Sequence, residues 1–308
     1  MATGDEYRVS NFNQSSKKFG ASGLNVNNAH DVKEFNDEVF ITDTNNHRVV
    51  VTALDGSLRR YIECQDESLN GDFDPWGIAI SVTSEMYVTD MKSHVVLKFD
   101  TTGKLSQKFG SAELQKPYGI AMASANARSK ILVVDLKRCC VCIFNHGGIL
   151  LRVCGHRGKG LNELDVPRLI ALNSKGNWII ADYGNRRLII IEGEDNPPRS
   201  VSIKPENRNY LVRGVTVDEK DNIIVSVISH KTPMIGRHCS VLMYNSEYTY
   251  MGCISKPTDV YMPRGMCVTH KNEEKSLLVA CHDGIHQYTF VETTSQTSHS
   301  SEKSIISY

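Results

Sequence analysis

One arginine or aromatic side chain recurs just before, or in register with the residue before, the glycine of a Pro-x-Gly-Ile-Ala-like step. These residues are Trp76 in PWGIAI, Tyr118 in PYGIAM, Arg168 in PRLIAL, Arg213 in VRGVTV and Arg264 in PRGMCV; His30 holds the place in a degenerate AHDV. Guanidinium groups pair with phosphates and carboxylates, and indole or phenol rings stack on unpaired bases. A second set lies some fifteen residues further along most units: Lys92, Lys137, Arg138, Tyr183 and Arg186, with Asn45, Asn46, Ser93, Asn185 and His230 beside them. Together they predict a ligand-binding rim. Its partner would be RNA, single-stranded or in a stem-loop, or a protein segment; unpaired bases offer free faces that duplex DNA does not. Asp43, Asp90, Asp135 and Asp182 lie near the same rim and offset part of its positive potential.

Two of those aspartates have an arginine five residues on, Asp43 with Arg48 and Asp182 with Arg187. That spacing lets a carboxylate and a guanidinium bridge one loop, so both pairs are expected to be structural. Asp90 and Asp135 lack the arginine and are expected to cap turn amides. His47 and His94 share a repeat position, and with His30, His230 and His282 they raise the question of a channel metal. No carboxylate accompanies them at ligand spacing, so a polar turn role is expected and no metal or cofactor is assigned. No GxSxG elbow is present. Cys139, Cys140 and Cys142 read as packed thiols, and GHRGKG (155–160) lacks the GK[ST] ending of a phosphate loop.

What must position these groups is a repeat of about 45 residues. The opening step leads to a second landmark, VFITD (39–43), MYVTD (86–90), LVVD (132–135), WIIAD (178–182), IIVSV (223–227) and LLVAC (277–281). Polar turn residues follow, then a third strand (HRVVVTAL, HVVLKFD, CCVCIFN, RRLIIIE), a turn such as Asp55-Gly56 or Thr102-Gly103, and a last strand such as LRRYI or LSQKFG. Four short β-rich strands per unit, without helical periodicity, predict an all-β, six-bladed β-propeller of four-stranded antiparallel blades. SSKKFG (15–20) resembles a fourth strand yet precedes the first unit, while the last unit, ending near GIHQYTF (284–290), lacks one. Ser15–Gly20 is therefore expected to complete blade six and close the ring. The implied division is a flexible start (1–14), the propeller (15–290) and a disordered Ser/Thr-rich tail (291–308).

Composition narrows the partner. Lys and Arg number 35 and Asp and Glu 35, so the whole molecule offers no bulk field for nucleic acid or lipid. Apolar runs such as Ile131–Val134 and Leu188–Ile191 fall far short of the roughly 18 residues of a membrane span, and the amino terminus lacks a signal-like apolar stretch. A cytoplasmic protein with no membrane partner is expected. Its nine cysteines, without a zinc-type CxxC pair, are expected to be reduced.

VFITDTNNHRVVVTALDGSL and MYVTDMKSHVVLKFDTTGKLSQKFG, with the PWGIAI and PYGIAM steps, resemble NHL repeats, and the likeness runs from about Ser15 to Phe290. The arrangement is most similar to the carboxy-terminal propeller of the TRIM-NHL (tripartite motif) proteins. That resemblance implies a non-catalytic module recognising RNA or protein, in a ubiquitin-ligase or post-transcriptional setting. The family's RING finger, B-box and coiled coil have no counterpart in this sequence, so no ligase activity is expected of the chain itself. Six-bladed propellers also include metal-dependent lyases and lactonases, the alternative kept open.

Overall fold

The computed structural model describes residues 17–20, 24–69, 71–123, 129–193, 196–205, 208–229, 239–255, 260–272 and 274–290. The expected flexible start and tail, Ser15, Ser16, His230 and the 231–238 insertion of unit five lie outside the described residues.

Each repeat folds as an antiparallel meander whose strands follow one another outward. Blade one comprises Ala29–Phe35, Glu38–Asp43, Arg48–Ala53 and Leu58–Glu63; blade two Pro75–Ile80, Met86–Asp90, Val95–Phe99 and Leu105–Phe109. Blade three holds Pro117–Ala123, Lys130–Asp135, Cys140–Asn145 and Leu150–Cys154; blade four Pro167–Leu172, Trp178–Asp182, Arg187–Ile191 and Arg199–Ser202. Blade five holds Tyr210–Val217, Ile223–Ser229, Cys239–Tyr244 and Tyr250–Cys253. In blade six Met266–Lys271, Glu274–Cys281 and Gly284–Thr289 are joined by Lys17–Lys18 from the far end of the chain. Lys17 faces Gln287 and Lys18 faces His286 in the antiparallel register, and the Phe19 amide adds a 2.9 Å bond to the Ile285 carbonyl. The ring of six blades is thus closed by an amino-terminal strand.

The core lies between blades, where sheet faces pack on one another. Phe40, Val49, Val51 and Ile62 of blade one meet Ile78, Val88, Val95, Leu97 and Phe99 of blade two. At the closing interface Phe19, Val32, Ile41 and Val50 meet Cys267, Leu278 and Ile285. Alternate residues of every inner strand serve opposite neighbours, which is why the second and third strands read as almost unbroken apolar runs.

The repeated glycine is explained by crowding at the axis. A Cβ on Gly77 would collide with the Tyr118 carbonyl oxygen, and one on Gly214 with the Arg264 carbonyl oxygen. Adjacent innermost strands touch there through backbone, which only glycine permits. The landmark hydroxyls bridge the same seam: Thr42 Oγ1 donates to the Trp76 carbonyl at 2.9 Å, Thr89 Oγ1 to that of Tyr118 at 2.7 Å, and Ser226 Oγ to that of Arg264 at 2.7 Å.

Candidate functional site

The residue before each seam glycine lies at the start of an innermost strand, beside a register shift in its pairing with the second strand. Pro75 opposes Asp90 across that pairing, so the innermost strand begins at the same end of the blade as the loop between strands two and three. The two sets of residues singled out from sequence therefore share one end of the propeller. Within it they form two tiers.

The inner tier is a buried ring. His30 stacks on Trp76 with ring centroids 3.6 Å apart, and Trp76 lies 4.9 Å from Tyr118. Arg168 Nη1 donates to the Tyr118 hydroxyl at 3.0 Å while its guanidinium lies 4.1 Å over the Tyr183 ring. Arg213 places Nη1 3.5 Å from Met262 Sδ, and its charge acts on Tyr118. Arg264 returns to blade one, with Nη1 and Nη2 each 2.7 Å from the Ala29 carbonyl and Asn28 Oδ1. Tyr118 is 2% exposed, Arg213 5% and Arg264 6%, so these three are not the open rim expected from sequence. They gather near the axis because each precedes a glycine at the seam where neighbouring innermost strands touch.

Charge dominates this ring. Among the described residues no carboxylate pairs with Arg168, Arg213 or Arg264, and the Nε atom of each is buried without a hydrogen-bond partner. Burial, then the charge of Arg213, pushes the Arg264 guanidinium down to about 10. Burial also lowers Arg213. Burial alone would raise the Tyr118 phenol, but the charges of Arg168, Arg213 and Arg264 outweigh it and hold the phenol below its ordinary value. His30 is driven well below the usual imidazole range by burial and by Arg264, Arg213 and Arg168, so it is neutral at pH 7.

The outer tier is more open. Lys92 and Lys137 are exposed; Arg138, Tyr183 and Arg186 are half-buried. Arg138 donates to the Glu113 carbonyl, and Arg186 occupies a left-handed turn position that His47, His94 and Cys139 fill in other blades. His47 Nδ1 lies 2.9 Å from the Phe73 carbonyl, and His30 belongs to the ring, so these histidines do not gather around a common point.

The aspartates clamp the approach to the ring. Asp43 accepts from the Asn27 amide at 2.7 Å and from Arg48 Nε at 2.9 Å; Asp182 accepts from the Asp165 amide at 2.7 Å and from Arg187 Nε at 2.8 Å. Asp90 and Asp135 accept backbone amides without an arginine, those of Asp74 and Ser93 in one case, Gln115 and Arg138 in the other. Each ties the segment before the innermost strand to the following loop. In the Gly-rich connection, Glu163 accepts the Lys159 and Gly160 amides, both at 2.7 Å, so those donors are already taken.

For a metal, the described residues offer Cys281, Asp283 and His286, whose ligand atoms lie within 4.8 Å of one another on blade six. The Lys18 ammonium stands 3.4 Å from the same Asp283 carboxylate and competes for it. The buried thiols Cys140 and Cys142 contact each other at 3.9 Å, and none of the nine cysteines forms a disulfide among the described residues. Sequence reasoning missed Asn28, Met262 and the seam hydroxyls; the recurring Thr-Asp of VFITD and MYVTD was the available signal for the last.

The fold and this ring define a six-bladed β-propeller with a cationic, aromatic ring near the axis of its loop-rich end. No family model matches the chain. It is 26% identical to Protein brain tumor of Drosophila melanogaster over 136 residues, 44% of this chain and 12% of that protein, so the chain spans a small part of that relative's length. Among solved structures, virginiamycin B lyase from Staphylococcus aureus superposes with a TM-score of 0.61 at 14% identity, over 90% of this chain and 99% of the lyase. A putative gluconolactonase gives 0.63 at 12% identity, over 90% of this chain and 92% of its own. At such identities the likeness establishes the fold alone. No helix among the described residues is long and apolar enough to cross a membrane.

Proposed function

We propose that the chain is a non-catalytic recognition module of NHL type that binds RNA or a protein segment at the loop-rich end of the propeller. The observation that carries this reading is the convergence of Arg168, Arg213 and Arg264 without a carboxylate, at the end where Lys92 and Lys137 are exposed. Buried cations without an anionic partner are costly, and an anionic group from a ligand relieves that cost. The partial likeness to Protein brain tumor, a TRIM-NHL protein, supports the family reading and a place in ubiquitin-dependent or post-transcriptional control. A cytoplasmic setting belongs to the same proposal, and nine cysteines outside any disulfide agree with a reducing compartment.

The enzyme reading needs metal donors at the channel mouth. Arg168, Arg213 and Arg264 gather there and repel a divalent cation, and the candidate donors Cys281, Asp283 and His286 at the same end share Asp283 with Lys18, which favours the binding module. Crosslinking in cell extract, followed by sequencing and mass spectrometry on one sample, tests the proposal: a crosslinked RNA or protein supports it. Purified protein carrying stoichiometric zinc or calcium would favour the lyase or lactonase alternative.

A further inference from the structure

We propose that the largely buried guanidinium ring is a socket for a single carboxylate, and that its occupant is an acidic side chain of a protein segment lying across the loop-rich end. The inference rests on the recognition reading and goes beyond it by choosing the ligand.

The ring is built around missing negative charge. Every partner of its arginines is neutral: the Tyr118 hydroxyl, Met262 Sδ, the Ala29 carbonyl and Asn28 Oδ1. Three Nε–H groups remain buried and unused. Asp31, the carboxylate next to His30, is engaged elsewhere, by the Lys33 ammonium at 2.9 Å and the Ile78 amide at 3.2 Å, and Asp74 accepts from the Trp76 indole at 2.9 Å without pairing with any of the three arginines. A guanidinium presents its donors as a planar fork that matches a carboxylate. Trp76 and Arg168, only half-buried, border the way in.

The same geometry disfavours RNA as occupant. Strand recognition needs free aromatic faces along a basic groove that tracks successive phosphates. Here His30 and Trp76 cover each other, Trp76 and Tyr118 are in tilted contact, and Arg168 covers Tyr183. The cation charge is concentrated at the axis, and the chain as a whole is neutral. One anion fits this pattern better than a row of them.

The test is selection of a displayed library of random peptides on the full chain, followed by fluorescence polarisation of the enriched sequences. Arg168→Met is the principal variant because Arg168 makes no backbone bond in the ring; Arg213→Met is the second, with thermal melts confirming that both fold. Enriched peptides should share one Asp or Glu. Its replacement by Asn or Gln, or Arg168→Met in the protein, should weaken binding about tenfold, and Val82→Ser at the opposite end should change nothing. Peptides without a shared acid, or equal binding to Arg168→Met, overturn the socket. So does oligouridine bound in a ring-dependent way, although recognition then stands. If neither peptides nor oligouridine is retained, the recognition reading itself fails.

Discussion

The Thr89 hydroxyl donates to the backbone carbonyl of Tyr118, 29 residues on and in the next blade, at 2.7 Å. The residue that carries the ring chemistry in blade three is thus held by the second strand of blade two. Thr89→Val keeps the shape and strips the Tyr118 carbonyl of this donor and the Gly77 amide, 2.8 Å from the hydroxyl, of its acceptor, at a cost of about 1–3 kcal/mol for each group left unsatisfied. Urea unfolding should show a lower midpoint with an unchanged slope. An unchanged midpoint would mean that the seam bond contributes nothing.

Closure by the amino terminus has its own signature. Phe19 is buried between blades six and one, against Ile41, Val50, Leu278 and Ile285. Phe19→Ala should cost about 3–5 kcal/mol. Hydrogen exchange should accelerate first in Gly284–Thr289, the strand that Lys17–Lys18 pairs with. Uniform acceleration in all six blades would contradict that local role.

The two aspartate–arginine clamps should be among the most sensitive polar positions. Asp182→Ala leaves Arg187, which also donates to the Lys159, Gly160 and Glu163 carbonyls, as a buried cation without its carboxylate. A loss of about 3 kcal/mol is expected. The double change Asp182→Ala with Arg187→Met should cost less than the sum of the two single changes, measured by the same unfolding assay.

Proton linkage follows from His30. Its folded-state value is depressed, so between pH 7 and 5 the unfolded chain takes up a proton near the ordinary 6.5 while the ring does not. The His30 contribution to stability is therefore complete above that value and falls with pH by at most about 1.4 kcal/mol per unit. His30→Gln should remove this part of the slope in chemical unfolding at several pH values. An identical slope in the variant would place the proton uptake elsewhere.

The propeller was legible because its signals are local and repeated: the Pro-x-Gly step, the strand ending in aspartate, and the glycine turns. Closure was legible because KKFG repeats in LSQKFG. The chemistry of the ring was only half legible. Sequence placed Trp76, Tyr118, Arg168, Arg213 and Arg264 in one register, yet residues from separate blades meet at the axis, so burial and mutual contact are properties of ring closure. Asn28 and Met262 lie outside the motif altogether, and nothing in their spacing marked them as partners of Arg264 and Arg213.

Recognition at the loop-rich end requires that the partner meet that end of the propeller and not the other. A photoreactive phenylalanine analogue placed at Lys92, exposed beside the ring, is compared with one at Val82, 75% exposed in the hairpin at the other end of blade two. Crosslinks in extract from position 92 and none from position 82 are the predicted result; crosslinks from position 82 with none from 92 would contradict the account.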